Sequence, residues 1–442
     1  MASTNIQRQH TTAPTDNKKC TISVWVKRSE LSGSAYYGIY GGINAAWNAA
    51  GNVQIGFGND KAYCWFKTAS GDRKKQDSTR LFRDTNAWYH FVYRIDTTQS
   101  TASDRIRVYC NNEEVTSWGS TTDPTLNEDI SFTTNGYTNY IGKFNFTNGS
   151  VNYFNGVLSH FHLCDGYSYA PTEFGSTDAN GVWKINTSPN VQYGNNGYFI
   201  LKDGNSLTDQ SGQSNNWSSH NGTLTKTEDN PSNVFCIFNK LYNTNANNDL
   251  VPAITLGNTM LSGHGSGWFQ IPGTLAFNKG KFYWECKFNA GTNLDKNTPG
   301  VIDYEKCFGT GQFQDQTGSV FYKNEDGGET RLDGNTSSAD YGTLAQNDIL
   351  GIAVDMDAAT PTVKYYKNGS LLVTVNASSL LGKFITPANT VYASGEYQVN
   401  FGNGYFGTTA VSSAGTNASG NGIFEFDVPT NYTALSTKGL NL

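Results

Sequence analysis

Between Asp348 and Asn376 the chain reads DILGIAVDMDAATPTVKYYKNGSLLVTVN, and this stretch constrains the fold more than any other. Ile349 to Val354 is an apolar run of strand length, Thr362 to Tyr366 a β-branched and aromatic one, and Leu371 to Val375 a third. Asn368-Gly369 separates the last two. A type I′ hairpin turn needs φ > 0 at both central residues, which Asn and Gly tolerate best, so an antiparallel hairpin is predicted here.

The same grammar recurs toward the N-terminus. In TISVWVK from Thr21, residues Ile22, Val24 and Val26 fall on one face of a strand, with Thr21, Ser23, Trp25 and Lys27 on the other. Further strand-like runs are Asn52 to Gly58, Ala62 to Lys67, Trp88 to Ile95, Arg105 to Asn111, Asn139 to Phe144 and Phe154 to Leu163. No sustained 3.6-residue periodicity appears, so the expected class is all-β, with antiparallel sandwiches. A chain of 442 residues accommodates two such large domains.

Charged residues are only 15%, well under the usual quarter, so Asn, Ser and Thr must supply the polar surface. The net charge is −6 and the one basic cluster, Arg73-Lys74-Lys75, is short and reads as a solvated loop, which argues against nucleic acid as a partner. Seven cysteines, Cys20, Cys64, Cys110, Cys164, Cys236, Cys286 and Cys307, form no CxxC pair and most sit in apolar runs; they read as reduced, buried small hydrophobes. The first residues lack the apolar core of a signal peptide, and no run approaches a membrane span, so synthesis in a reducing cytoplasm without membrane insertion is expected. Triplets such as Asn148-Gly149-Ser150 then follow from composition, not glycosylation.

Five segments in order, Gly280 to Phe288 (GKFYWECKF), Asp348 to Asp357, Val363 to Gly369, Phe384 to Pro387 (FITP) and Val399 to Phe406, resemble the SPRY or B30.2 domain. That family is a two-sheet antiparallel sandwich of binding modules, so the resemblance implies recognition without catalysis. Trp88 to Phe91, Arg105 to Tyr109 and Phe154 to Gly156, each with its neighbouring strand, resemble the laminin-G-like, concanavalin-A-like fold. Where that family usually has Asn-Gly after its middle strand, this chain has Asn111-Asn112-Glu113. DGYSYAPTEFGSTDANGVWKI and LTDQSGQSNNW look like a connector of tailed-bacteriophage virion proteins, and Phe424 to Asn441 looks like the terminus of such proteins. The expected organisation is a polar arm at 1–18, which frays or docks on a neighbour, a laminin-G-like sandwich at 19–165, a connector at 166–238 and an SPRY-like sandwich at 239–442. Trp183, Tyr198, Phe199, Ile200 and Trp217 point to a connector packed against a domain.

Concanavalin-A-like folds also host glycoside hydrolases, which need two poised carboxyls. The nearest match is Glu425-Phe426-Asp427, expected on a terminal strand, with no third acid following. His160 and His162 alternate on one strand face with His90 a potential neighbour, but no third ligand is identifiable by spacing. Asn59-Asp60 and Asp203 are isolated oxygen donors for calcium, and Gly263-His264-Gly265-Ser266-Gly267 is a glycine loop before a strand, not a nucleophile elbow. No catalytic residue, metal or cofactor is assigned. Trp47, Trp118, Tyr137 and Trp268, in or beside loops, are the candidate ligand contacts, because sugar faces stack on exposed aromatics; the alternative is sandwich core. The expected function is a non-enzymatic virion protein, a tail fibre, tail-associated or capsid-decorating element. It would be homo-oligomeric and would contact other virion proteins and a host-surface glycan or protein. The rivals are a glycan depolymerase and a purely architectural tail or capsid part.

Overall fold

The computed structural model describes residues 3–43, 49–145, 150–242, 252–264, 267–289, 294–309, 311–325, 327–337 and 339–441. These residues form sheets that are antiparallel except at one short strand, and their helical turns are 3-10 segments of three to five residues. The chain divides into two compact units, Met1–Lys226 and Thr227–Leu442.

In the first unit an eight-stranded sheet runs in the order Trp118–Thr122, Gly71–Leu81, Lys61–Thr68, Val53–Gly58, Tyr36–Ile43, Thr138–Ile141, Asn5–Gln9 and Ser218–Asn221. Facing it is a six-stranded sheet, Tyr198–Ile200, Gly156–Asp165, Lys19–Arg28, Trp88–Asp96, Ile106–Cys110 and Glu113–Glu114. Ile22, Val24 and Val26 enter the core beside Phe57, Phe66 and Phe91, as the alternation requires. Ser23, Trp25 and Lys27 on the other face are buried as well. Residues after the last long strand cover that face, building a second cluster from Val92, Cys164, Phe174, Tyr193 and Phe199.

Of residues 166–238, read from the sequence as connector, 166–226 are therefore part of the first unit and 227–238 part of the second. Strand Tyr198–Ile200 extends its sheet, and Trp217 lies in its core. The N-terminal arm is likewise a strand of its own unit: Asn5–Gln9 pairs with Thr138–Ile141 on one side and Ser218–Asn221 on the other. Ile6 anchors it in the core. Polar residues after it bond within the unit: His10 bonds Asn139, Thr12 donates to Asn196 at 2.8 Å, and Thr15 N–H donates to Asp165 at 2.8 Å.

Arg73-Lys74-Lys75 is not a solvated loop. It lies in strand Gly71–Leu81, where Arg73 and Lys75 are buried. Arg73 Nε is 2.9 Å from Glu128 and Lys75 Nζ 2.8 Å from Asp123, so each charge meets an opposite one. Asn111-Asn112 does make the two-residue turn between Ile106–Cys110 and Glu113–Glu114, with φ of 51° and 69°. Asn reaches the left-handed region through local hydrogen bonding, and Asn111 Oδ1 accepts the His90 backbone N–H at 2.8 Å.

A short hairpin, Lys143–Asn145 with Val151–Tyr153, lies against the outer face of the eight-stranded sheet, where Phe144 joins Tyr63 and Trp65. Glycines permit the approach: a Cβ on Gly38 would stand 2.4 Å from Phe144 N. Gly38→Ala is expected to destabilise the first unit by about 1–3 kcal/mol through overpacking, read as a lower urea midpoint; an unchanged midpoint refutes the close seating.

In the second unit one sheet runs Ala253–Thr255, Met260–Ser262, Glu396–Asn400, Lys281–Phe288, Ile349–Asp355, Thr362–Lys367 and Ser370–Asn376, with Thr433–Ala434 added in parallel to Lys281–Phe288. The other runs Trp268–Pro272, Ile385–Tyr392, Thr298–Asp303, Ser319–Lys323, Glu329–Leu332 and Asn335–Thr336. The predicted hairpin is present: Lys367 pairs with Ser370 across Asn368 (φ 47°) and Gly369 (φ 82°). Asn368 also accepts the Ile349 N–H at 2.9 Å and donates to Asp348 at 2.8 Å, tying the turn to the start of strand Ile349–Asp355. The core between the sheets gathers Trp284, Phe288, Ile352, Val354, Tyr365 and Tyr397. All seven cysteines of the chain are buried thiols, and burial pushes Cys64, Cys110 and Cys307 up to about 12.

Candidate functional site

The aromatic candidates from the sequence are not brought together. Trp47 lies outside the described residues. Trp118 is half-buried on an edge strand, packs on the core and donates its indole N–H to Val115 O at 2.7 Å. Tyr137 precedes strand Thr138–Ile141, four strands away in sheet order from the Gly71–Leu81 neighbour of Trp118, and its ring covers Gly51. Trp268 belongs to the second unit and packs on Tyr392 at 5.3 Å between ring centres.

Most of the candidate acids and metal ligands are engaged in structure, and Asp203 is exposed. Glu425-Phe426-Asp427 is not a strand: Glu425 bonds the Ser412 hydroxyl and N–H, and Asp427 accepts from the Thr416 N–H and hydroxyl. Pro429 and the turns around it prevent the ladder that alternation alone suggested. Asp60 is taken up by Arg28, Arg83 and the Ser32 N–H. His160 and His162 both pack on Phe199, although a register shift and a φ of 47° at His160 break the regular alternation. Among the described residues no group of three His, Cys, Asp or Glu is arranged to hold a metal ion. Gly265 and Ser266 of the glycine loop lie outside the described residues.

A different place combines a concave surface with exposed aromatics. At one end of the six-stranded sheet of the second unit, three segments converge. Strand Thr298–Asp303 runs into the 3-10 turn Tyr304–Phe308, residues 381–384 lead into strand Ile385–Tyr392, and Phe277 pairs by its backbone with Ile385 beside Ala276. Tyr304 N–H donates to Phe384 O at 2.7 Å and so locks the two loops together. Asp303 caps the turn by accepting the Glu305 N–H at 3.2 Å, and Lys383 Nζ stands 3.5 Å from its other oxygen. The result is a groove of about 390 Å³ lined by Ala276, Asp303, Tyr304, Glu305, Gly382, Lys383 and Phe384, within the usual range for small-ligand sites.

Its side chains are unequal. The Asp303 carboxylate is 3% exposed, whereas Tyr304 is 40% and Phe384 57% exposed, and Phe308 and Leu381 beside them are also exposed. Tyr304 and Phe308 meet edge to face at 5.3 Å. A shielded carboxylate and an ammonium thus sit between aromatic surfaces that water contacts. This arrangement can hold hydroxyl or amide groups by hydrogen bonds and cover flat apolar faces by stacking. Phe384 opens the FITP segment, yet period-two alternation did not mark it as a contact. The available signal was the glycine beside each loop, Gly382 before Phe384 and Gly309 after Phe308, which lifts an aromatic out of the strand pattern.

No curated protein matches the chain. Among solved structures it is similar to the SPRY domain of human HERC1 (18% identity, TM-score 0.27, 32% of this chain and 87% of that chain). It is also similar to a human SPRY domain (15%, 0.26, 32% and 90%) and to a heptameric SAP-like pentraxin from Limulus polyphemus (14%, 0.33, 51% and 89%). Residues 2–170, within the first unit, match the family described as the concanavalin A-like lectin/glucanases superfamily.

Proposed function

We propose that the chain is a non-catalytic recognition component of a tailed-bacteriophage particle, gripping a host-surface glycan or protein at the Tyr304–Phe384 groove. The observation that carries this reading is the pair of water-exposed aromatic rings flanking the Asp303–Lys383 pair. Exposed aromatic faces gain free energy when a ligand covers them, and the Lys383 ammonium, held by the buried carboxylate yet 47% exposed, orients what covers them. The virion assignment rests on the phrases between residues 165 and 217 and on the last residues of the chain. Copies on a symmetric, homo-oligomeric particle would add avidity to a groove of modest single-site affinity.

The test is binding of the full chain to host cells and to isolated host-surface polysaccharide, compared with Tyr304→Ala and Phe384→Ala. Each substitution is expected to weaken binding at least about tenfold, equivalent to about 1.4 kcal/mol, with urea midpoints retained. Wild-type affinity in both variants removes the groove from the account. New reducing ends released from the polysaccharide would replace the recognition reading with a depolymerase. A particle map enclosing the second unit on all sides would replace it with an architectural role.

A further inference from the structure

The outer face of the six-stranded sheet in the first unit carries three buried histidines remote in sequence from the groove: His90 on strand Trp88–Asp96, and His160 and His162 on strand Gly156–Asp165. His90 touches two indoles, one by its face and one by its edge. Trp25 stacks on it at 4.8 Å and 13°, and Trp183 lies beside it, ring centres 5.9 Å apart and planes at 17°. Trp183 belongs to the small hairpin of Gly175–Thr177 with Trp183–Ile185, which joins neither large sheet. Its Nε1–H donates to His90 Nδ1 at 2.9 Å. An indole N–H can only donate, so Nδ1 must present a bare lone pair; the ring proton then sits on Nε2 and is donated to Ser23 Oγ at 2.8 Å. Both ring nitrogens are engaged, and a second proton has no position except the one facing the Trp183 N–H.

We propose that the hairpin carrying Trp183 is an acid-released latch: protonation of His90 at Nδ1 sets two N–H groups against each other, Trp183 leaves, and water reaches the Trp25–His90 face. Among the described residues, the groups packed around the ring supply no compensating anion. Strand Lys19–Arg28 contributes Ser23 and Trp25, both neutral, and strand Gly156–Asp165 contributes His160, a like charge when protonated. His160 in turn faces Lys202 and Asp203, of opposite sign, and His162 faces His160, His90, Lys202 and the Tyr193 hydroxyl at 2.9 Å. On the hairpin, Lys184 lies 3.7 Å from Asp178. The Trp25 face favours an imidazolium and persists after release, whereas Trp183 meets the ring through its N–H edge and offers an imidazolium nothing.

Burial, with His160 adding like charge, lowers His90 to about 3, and burial followed by Lys202 lowers His160 to about 4. The docked form therefore resists protonation while an opened, hydrated His90 takes a proton from about pH 6.5 downward. Docking is complete above that pH and weakens as the pH falls, by about tenfold in the opening constant per pH unit.

Hydrogen–deuterium exchange of residues 175–185 in the full chain, corrected for intrinsic exchange, tests the latch between pH 6.5 and 4.5. Protection of the hairpin is expected to fall about tenfold per pH unit while strands Lys19–Arg28 and Trp88–Asp96 stay protected. His90→Gln offers Trp183 an acceptor that does not titrate, and Trp183→Phe keeps an aromatic face without the N–H; each is expected to flatten the slope. Flat protection in the wild-type chain, simultaneous loss in hairpin and sheet, or an unchanged slope in both variants would overturn the proposal.

Discussion

Asp60→Asn is expected to lower the unfolding free energy of the first unit by about 3–5 kcal/mol, the effect of stranding a buried charge. Arg28 is only 1% exposed on its side chain and lies 2.8 Å from Asp60 Oδ1. Its guanidinium also donates to Phe82 O and Glu30 O, and packs over the Phe57 ring at 4.4 Å. An Arg cannot discard its proton, so removing the carboxylate leaves a cation in the core with carbonyl partners alone. Asn keeps the left-handed backbone at this position, φ 61°, and an oxygen for the Ser32 N–H, so the change isolates the charge. Burial pushes the Asp60 carboxyl up, but the Arg28 and Ser32 hydrogen bonds hold it below its ordinary value. A depressed acid stabilises above its unfolded pKa of about 3.9 and loses that contribution as the pH falls. Urea unfolding of wild type and variant should therefore converge in acid. The double variant Arg28→Met with Asp60→Asn should recover part of the loss, and a single variant within about 0.5 kcal/mol of wild type would show the pair to be dispensable.

The second large effect concerns Glu285, which is fully buried in strand Lys281–Phe288 of the second unit. Its carboxylate accepts the Glu425 and Phe426 N–H groups at 2.9 Å each and the Tyr283 hydroxyl at 3.1 Å. It thereby fastens the C-terminal segment over the outer face of the sheet, where Tyr283, Ala353, Phe424, Val428 and Tyr432 form their own cluster. Glu285→Ala leaves three donors without an acceptor, at about 1–3 kcal/mol each, and is expected to destabilise this unit by at least about 3 kcal/mol. Burial, opposed by those hydrogen bonds, raises the Glu285 carboxyl from 4.5 to about 7. A raised acid contributes stability below its unfolded pKa and loses it as the pH climbs through the folded one. Wild-type stability should thus decline between pH 4.5 and about pH 7 by about 3 kcal/mol, at about 1.4 kcal/mol per unit. Glu285→Gln, which does not titrate, should lack that slope. Parallel pH profiles for the two proteins would show that another group controls this range.

Glu285 also shows where sequence reasoning loses sight of a structure. GKFYWECKF marks a buried strand, and the strand is there, but no pattern announces that its one acid serves as an anchor for backbone N–H groups near the end of the chain. Arg73 and Lys75 illustrate the opposite error: a charge run usually means solvent, and here Glu128 and Asp123 arrive from another part of the chain to bury it. The groove was equally hidden. Phe384 belongs to the FITP motif, yet its exposure follows from where residues 381–384 cross Tyr304, a pairing of distant segments. Trp183 and Trp217 did signal that the polar segment after residue 165 would be packed, though not that one of them would lie against His90.

By itself the sequence determined the all-β class, many of the longer strands and the Asn368-Gly369 and Asn111-Asn112 turns. Side-chain alternation and the positive φ of Asn368-Gly369 are local properties, decided within a few residues of chain. Only the tertiary structure decided that the polar arm is a sheet strand, that residues 166–226 seal one sheet face, and that Asp303, Tyr304, Lys383 and Phe384 share a groove. Those outcomes depend on which distant polar and aromatic groups come within hydrogen-bonding or packing distance once the sheets have formed, and no local periodicity encodes that.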